Sequence, residues 1–331
     1  MTRAPGIALA AASLGAWAPV ARAEPPRQTP AAIEVDRDAA PGGRASLGFD
    51  GGEPVDAWGA SLSLGWIERP IALPAGALGA GSPASRPVRR RETLALGGAI
   101  AVGDRIVVDA VLRGSHQVGD RLAAAGDPGT ADHLARFAAQ DVRLGLRIRV
   151  AGDDDRAALL RGELTLPTGD DAQFAGDAAW TAAWSLIGRI GLPRGAALAA
   201  TAAIRLHGAE VAVGNRVIGD ELVAAVGGEL PLPALGIPAG GVALRAAVLA
   251  AVGDRIGDAA GASPAEARLG ARVQILPELW VTGDVGVGLD DQIGAPRLRA
   301  IASVAWTPRA PHEPGRAPPP SDDTGDDPDD P

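Results

Sequence analysis

Gln140-Asp141-Val142-Arg143-Leu144-Gly145-Leu146-Arg147-Ile148-Arg149-Val150 alternates polar and apolar residues with hardly a break. Asp141, Arg143, Arg147 and Arg149 fall on one parity, and Val142, Leu144, Leu146, Ile148 and Val150 on the other. A period of two belongs to a strand whose faces meet different surroundings, since successive side chains point to opposite sides. The stretch that follows repeats the pattern, with Arg161, Glu163 and Thr165 set against Leu160, Leu164 and Leu166.

Carried outward along the chain, the same alternation predicts about twelve strands, near 55–66, 93–102, 106–112, 140–150, 157–166, 178–190, 196–207, 220–230, 241–252, 265–275, 279–289 and 297–306. Across them no charge falls on the apolar parity. Asp56, Asp109, Arg189, Arg205, Glu221, Glu229, Arg245, Glu266, Arg268, Arg272, Asp284 and Arg299 all sit on the other one. Slipping any strand by one residue would exchange its faces, so the agreement implies selection against charge on one side. Lipid supplies such selection, because a charge on the hydrocarbon face of a barrel costs about 2–4 kcal/mol at mid-depth.

Connections fit the same picture. The gaps 67–92 and 113–139 are long and polar, whereas Gly103-Asp104-Arg105 and Leu276-Pro277-Glu278 are three-residue turns. Those turns would pair Val102 with Ile106 and Ile275 with Leu279. Long connections on one side, short ones on the other and an even strand count describe a barrel crossing an outer membrane, with both termini on the short-turn side. Trp58, Trp66, Trp180, Trp280 and Trp306 lie at or near strand ends, where interfacial aromatic girdles sit, and Trp184 lies deeper. The expectation is therefore an all-β fold: a transmembrane antiparallel up-and-down β-barrel of about twelve strands over 55–306, with disordered N- and C-terminal tails. The alternative is a soluble sandwich or barrel with the apolar parity turned inward, which periodicity by itself does not separate.

Composition narrows the function. The chain has 331 residues and a net charge of −9, and all 31 of its basic residues are arginine. Lysine and tyrosine are absent and Asn215 is the lone asparagine, a joint loss of AT-rich codons that points to a high-GC genome. With zero cysteine there is no disulfide framework, zinc–thiolate site, iron–sulfur cluster or cysteine nucleophile. An acidic chain whose longest basic run is Arg89-Arg90-Arg91 is a poor nucleic-acid binder.

Residues 1–23 read as a signal peptide, with Arg3, the apolar stretch Ile7 to Val20 and an Ala21-Arg22-Ala23 cleavage site. Residues 24–54 read as a flexible leader. Residues 307–331, Pro-rich and closing on Ser321-Asp322-Asp323-Thr324-Gly325-Asp326-Asp327-Pro328-Asp329-Asp330-Pro331, read as a disordered acidic tail.

The polar parity holds the candidate site: Asp109, Arg143, Arg147, Arg149, Arg161, Glu163, Arg189, Arg205, Glu221, Arg245, Arg268, Arg272, Asp284 and Arg299. These could line a mildly basic pore that prefers anionic or polar solutes. They could equally form cross-strand Arg–carboxylate ladders that fill the lumen and hold it shut. Among the histidines, His116 beside Ser115 and His207 near Glu210 are too thin for a nucleophile–base pair, and His133 and His312 add nothing. No metal, nucleotide or cofactor motif is present. A barrel of this kind is expected to contact the bilayer and lipopolysaccharide, and to need a barrel-assembly machinery for insertion.

Three stretches carry a family resemblance: Arg161-Gly162-Glu163-Leu164-Thr165-Leu166-Pro167-Thr168-Gly169-Asp170; Glu210 to Glu221 around Val213-Gly214-Asn215; and Ala267-Arg268-Leu269-Gly270-Ala271-Arg272. Gly294-Ala295-Pro296 to Ala305-Trp306 matches as well. Over about 55–306 the chain resembles the N-terminal barrel of myxobacterial-type OmpA-family proteins, related to the outer-membrane transporter family named for the MetA pathway of phenol degradation. The resemblance implies an outer-membrane barrel with a transport role and carries over no substrate. In such proteins Asp-rich calcium-binding repeats and a peptidoglycan-binding domain often follow. The tail begins like that linker, but no such domain follows it here, so wall anchoring is not expected.

Overall fold

The turn at Gly103-Asp104-Arg105 sets the pattern for the wall. Val102 pairs with Ile106 across it, and Gly103 takes a left-handed conformation (φ 64°) that a residue with a side chain rarely adopts. From this hairpin the neighbouring strands run outward in antiparallel register. The computed structural model describes residues 57–73, 85–119, 137–153, 156–170, 175–177, 179–209, 211–213, 216–236, 241–253, 264–290 and 295–308.

Twelve long strands form the wall: β1 (Trp58–Leu73), β2 (Ser85–Val102), β3 (Ile106–Gly119), β5 (Val142–Gly152), β6 (Arg156–Leu166), β7 (Thr181–Gly191), β8 (Ala197–His207), β11 (Glu221–Pro231), β12 (Val242–Gly253), β13 (Ala265–Leu276), β14 (Leu279–Gly288) and β15 (Leu298–Trp306). Three short strands accompany them: β4 (Phe137–Ala139) pairs with the upper part of β3, while β9 (Val211–Val213) and β10 (Arg216–Ile218) form a separate two-stranded hairpin. Each long strand is antiparallel to the next, and β1 pairs with β15 from Ala60↔Trp306 to Glu68↔Leu298. That pairing closes the sheet into a barrel and leaves the long strands without an open edge. The tight turns, the start of β1 and the end of β15 gather at one rim, joined there by the longer connection 232–241, and the other long connections lie at the opposite rim.

The faces resolve the choice left open by periodicity. Leu64, Leu96, Leu112, Leu186, Ile204 and Leu269 lie on the apolar parity and are all more than half exposed. Arg143, Arg147, Arg161, Arg245 and Arg268, on the other parity, are buried. The apolar side is out and the charged side in, the reverse of a soluble barrel. Such a surface is one that hydrocarbon covers.

The first three strands are longer than the alternation suggested, at 16, 18 and 14 residues. The expected loops 67–92 and 113–139 therefore shorten, because 67–73, 85–92 and 113–119 are strand. Polar residues there still pair, Glu92 with His116 and Arg91 with Gln117, since backbone hydrogen bonding does not require an apolar face once a strand has cleared the membrane. The turn before β14 is shorter by one residue: Leu276, not Ile275, stands opposite Leu279, across an irregularity after Gln274.

Trp58 and Trp306 form a tilted pair at the short-turn rim, ring centroids 5.7 Å apart, both exposed on the outer face. Trp180 is exposed at the opposite rim, and Trp66 is half-buried on the outer side of β1. Trp184 lies across Gly162 of the neighbouring strand, where a Cβ would meet its Cζ3 at 3.0 Å. Trp280 is the correction. It is buried on the inward parity, stacked beneath a guanidinium, because it shares its face with Thr282 and Asp284. The expected signal peptide 1–23 and leader 24–54 lie outside the described residues, as does the tail from 309 onward.

Candidate functional site

The interior is built from charges held by strand parity and spaced by register. On one arc, β3, β5 and β6 stand side by side. Gly145 on β5 is opposite both Asp109 on β3 and Glu163 on β6. Arg161, on β6, reaches over that glycine to Asp109: Nη1 donates to Oδ2 at 2.7 Å and Nη2 to Oδ1 at 3.0 Å. Nη2 also donates to Glu163 at 3.1 Å, and Arg143 approaches Glu163 at 3.7 Å. A Cβ on Gly145 would fall 2.6 Å from Arg161 Nη2 and hard against the Asp109 carboxylate. The glycine is a saddle over which a bidentate ion pair passes, the geometry in which an arginine–carboxylate contact is strongest.

The same device recurs on the opposite arc. Gly270 on β13 is opposite both Arg245 on β12 and Asp284 on β14. Arg245 Nη2 donates to Asp284 Oδ2 at 3.1 Å across it. One strand further on, Arg299 on β15 passes Gly286 on β14 and donates through Nε to Glu266 Oε1 at 2.9 Å, an oxygen that also accepts from Arg268 Nε at 2.7 Å. Nearer the short-turn rim, Arg272 is ion-paired with Glu229 and lies over the Trp280 ring, its Cζ 4.1 Å from the centroid. Arg205 and Glu221 face each other directly and bond at 3.1 Å.

Every residue of the sequence-derived set thus stands on the inward parity, Arg149 and Arg189 included, and most are joined in these clusters. Arg299 is 1% exposed, Arg245 2% and Arg147 3%. Charges this inaccessible occupy the interior instead of coating a broad aqueous bore. Stranding one by removing its partner costs about 3–5 kcal/mol, so each cluster is also a structural tie.

Several functional residues were not in that set. Arg91 is fully inward and donates to Gln117 Oε1 at 3.3 and 3.2 Å, yet both lay in stretches read as loop. Its odd number, shared with Thr93, was the available signal. Asp141 carries inward parity but acts on a loop: Oδ1 accepts from the Gly169 N–H and Oδ2 from the Asp177 N–H, both at 2.7 Å. This clamp gives the Pro167-Thr168-Gly169-Asp170 motif a structural job, reinforced by Thr168 Oγ1 accepting from the Val142 N–H at 3.0 Å. Ser115 and His116 point to opposite faces of β3. His116 Nδ1 meets Glu92 Oε2 at 3.0 Å and packs its ring near Phe137, while Ser115 is buried inward. They cannot form a dyad. His133 and His312 lie outside the described residues.

No family model and no curated protein matches the chain. Among solved structures it is similar to an outer membrane channel from Pseudomonas putida F1, at 15% identity and a TM-score of 0.53, covering 82% of this chain and 97% of that one. Others include the porins KdgM (6% identity, TM-score 0.44, 75% and 99% covered) and NanC (6%, 0.46, 76% and 100%).

Proposed function

We propose that this chain is an outer-membrane channel that passes small polar solutes, anions in preference, through a narrow arginine-rich interior. The carrying observation is the charge of the inner face, where, among the described residues, nine buried arginines stand against five buried carboxylates. An interior with excess fixed positive charge and low-dielectric walls concentrates anions and repels cations. Depth of burial keeps the path narrow, so the solutes are small. The similarity in fold to a channel supports a transport role, and the belt of exposed leucine, isoleucine and valine supports the bilayer as its surroundings. On this reading lipid and lipopolysaccharide cover the belt, a barrel-assembly machinery inserts the chain, and no enzyme chemistry is involved. Kinship with the phenol-degradation transporter family and with myxobacterial-type OmpA barrels belongs to the same proposal, carried by the sequence stretches quoted above.

The test is planar-bilayer recording of the refolded chain under a KCl gradient. Small unitary steps with an anion-selective reversal potential are expected, and an absence of steps would sink the channel. The near-complete burial of the arginines favours one second reading, a closed barrel that acts through its outer loops. It predicts no conductance together with loop-dependent binding.

A further inference from the structure

Arg245 is the most informative charge in the interior. It is 2% exposed, and only its Nη2 is engaged, by Asp284. Its Nε and Nη1 are buried and reach no acceptor among the described residues. A buried guanidinium with unmet N–H donors carries an uncompensated desolvation cost, which a bound acceptor would remove. The surroundings say which acceptor. Arg245 stands directly opposite Glu229, to which Arg272 is ion-paired, and Arg189 adds a third guanidinium whose charge acts on the same carboxylate. Three arginines against Glu229 and Asp284 leave a net positive cluster near the short-turn rim. Glu229 Oε2 is itself buried without a hydrogen-bond donor among the described residues, and its charge opposes an incoming anion at Arg245.

We propose that the Arg189/Arg245/Arg272 cluster binds a small oxyanion, phosphate or a carboxylate, with Arg245 Nε and Nη1 as its directed donors. Planar guanidinium donors match oxygens held on one centre better than they match a spherical halide. The proposal deepens the anion-preferring reading above by giving that preference a fixed site, and it rests on the same inward charges.

Calorimetric titration of the refolded full chain in detergent micelles tests it without requiring conduction. Inorganic phosphate and acetate are titrated separately, with chloride as the competitor. Saturable binding of either oxyanion is expected, and which of them saturates distinguishes the tetrahedral from the carboxylate source. Saturation by neither overturns the proposal. Arg245→Gln is expected to weaken binding about tenfold to a hundredfold. Gly98→Ala, where the added Cβ meets nothing within 4 Å, should leave it within about twofold. Unchanged affinity in Arg245→Gln overturns the assignment. Should that variant fail to fold, Glu229→Gln decides: removing the competing carboxylate must tighten binding, and equal or weaker affinity refutes the site. Binding without conductance would defeat the channel and leave the site, while anion-selective conductance without binding would do the reverse.

Discussion

Replacing Gly145 with alanine adds one methyl group, and the structure dictates where it goes. The new Cβ would lie 2.6 Å from Arg161 Nη2 and against the Asp109 carboxylate, so the two bonds of 2.7 and 3.0 Å between these side chains cannot both survive. Breaking a buried ion pair while leaving its members in place costs about 3–5 kcal/mol. Arg161 keeps its contact with Glu163, which holds the loss toward the lower end. Alanine also recovers about 0.5–1 kcal/mol of the strand penalty of glycine. The net expectation is a destabilisation of about 2–4 kcal/mol. Reversible urea unfolding in phospholipid vesicles, followed by tryptophan fluorescence, measures it. Gly98→Ala is the control: a Cβ there meets nothing within 4 Å, so stability should stay equal or rise by about 0.5–1 kcal/mol. In an Asp109→Ala, Arg161→Ala background the loss from Gly145→Ala should vanish. A loss that persists there, or no loss in the wild-type background, would refute the saddle.

Two further outcomes follow from placements described above. Brominated lipid should quench the fluorescence of single-tryptophan variants retaining Trp58 or Trp306 but not of one retaining Trp280, and strong quenching of Trp280 would return it to the outer girdle. Asp141→Ala removes a charged acceptor from two backbone N–H groups, each such bond being worth about 1.5–3 kcal/mol, so limited proteolysis should cut near 167–177 much faster while the barrel stays folded. An unchanged cleavage rate there would contradict the clamp.

How much of this was legible depended on whether the information was local. Parity within one strand is local, so Val142 to Val150 revealed both faces and the charge of each. The same rule already placed Trp280 with Asp284. Nearness to a strand end is a weaker signal than parity, and Trp280, buried inside, follows parity. The extent of β1 to β3 was obscured because Arg90, Glu92 and His116 look like loop residues, while their pairing is made by backbone groups that hydropathy does not register. The saddles were not legible at all. Gly145 matters only because β3 and β6 both align on it, and that takes two registers which one strand's sequence does not fix. Gly270 and Gly286 are of the same kind.

Ladder hydrogen bonds join each strand only to its immediate neighbours and leave the angle between them soft. The ties over Gly145, Gly270 and Gly286 skip a strand, so each fixes the local curvature of the wall. Counted around the ring, the tie across β3, β5 and β6 lies diametrically opposite the one across β12, β13 and β14. Squeezing a cylinder into an ellipse must flatten or sharpen opposite arcs together, and these two arcs resist the same deformation. Lateral membrane pressure should therefore flatten the cross-section neither along nor across that diameter, and any breathing of the interior should take place along the oblique directions between them.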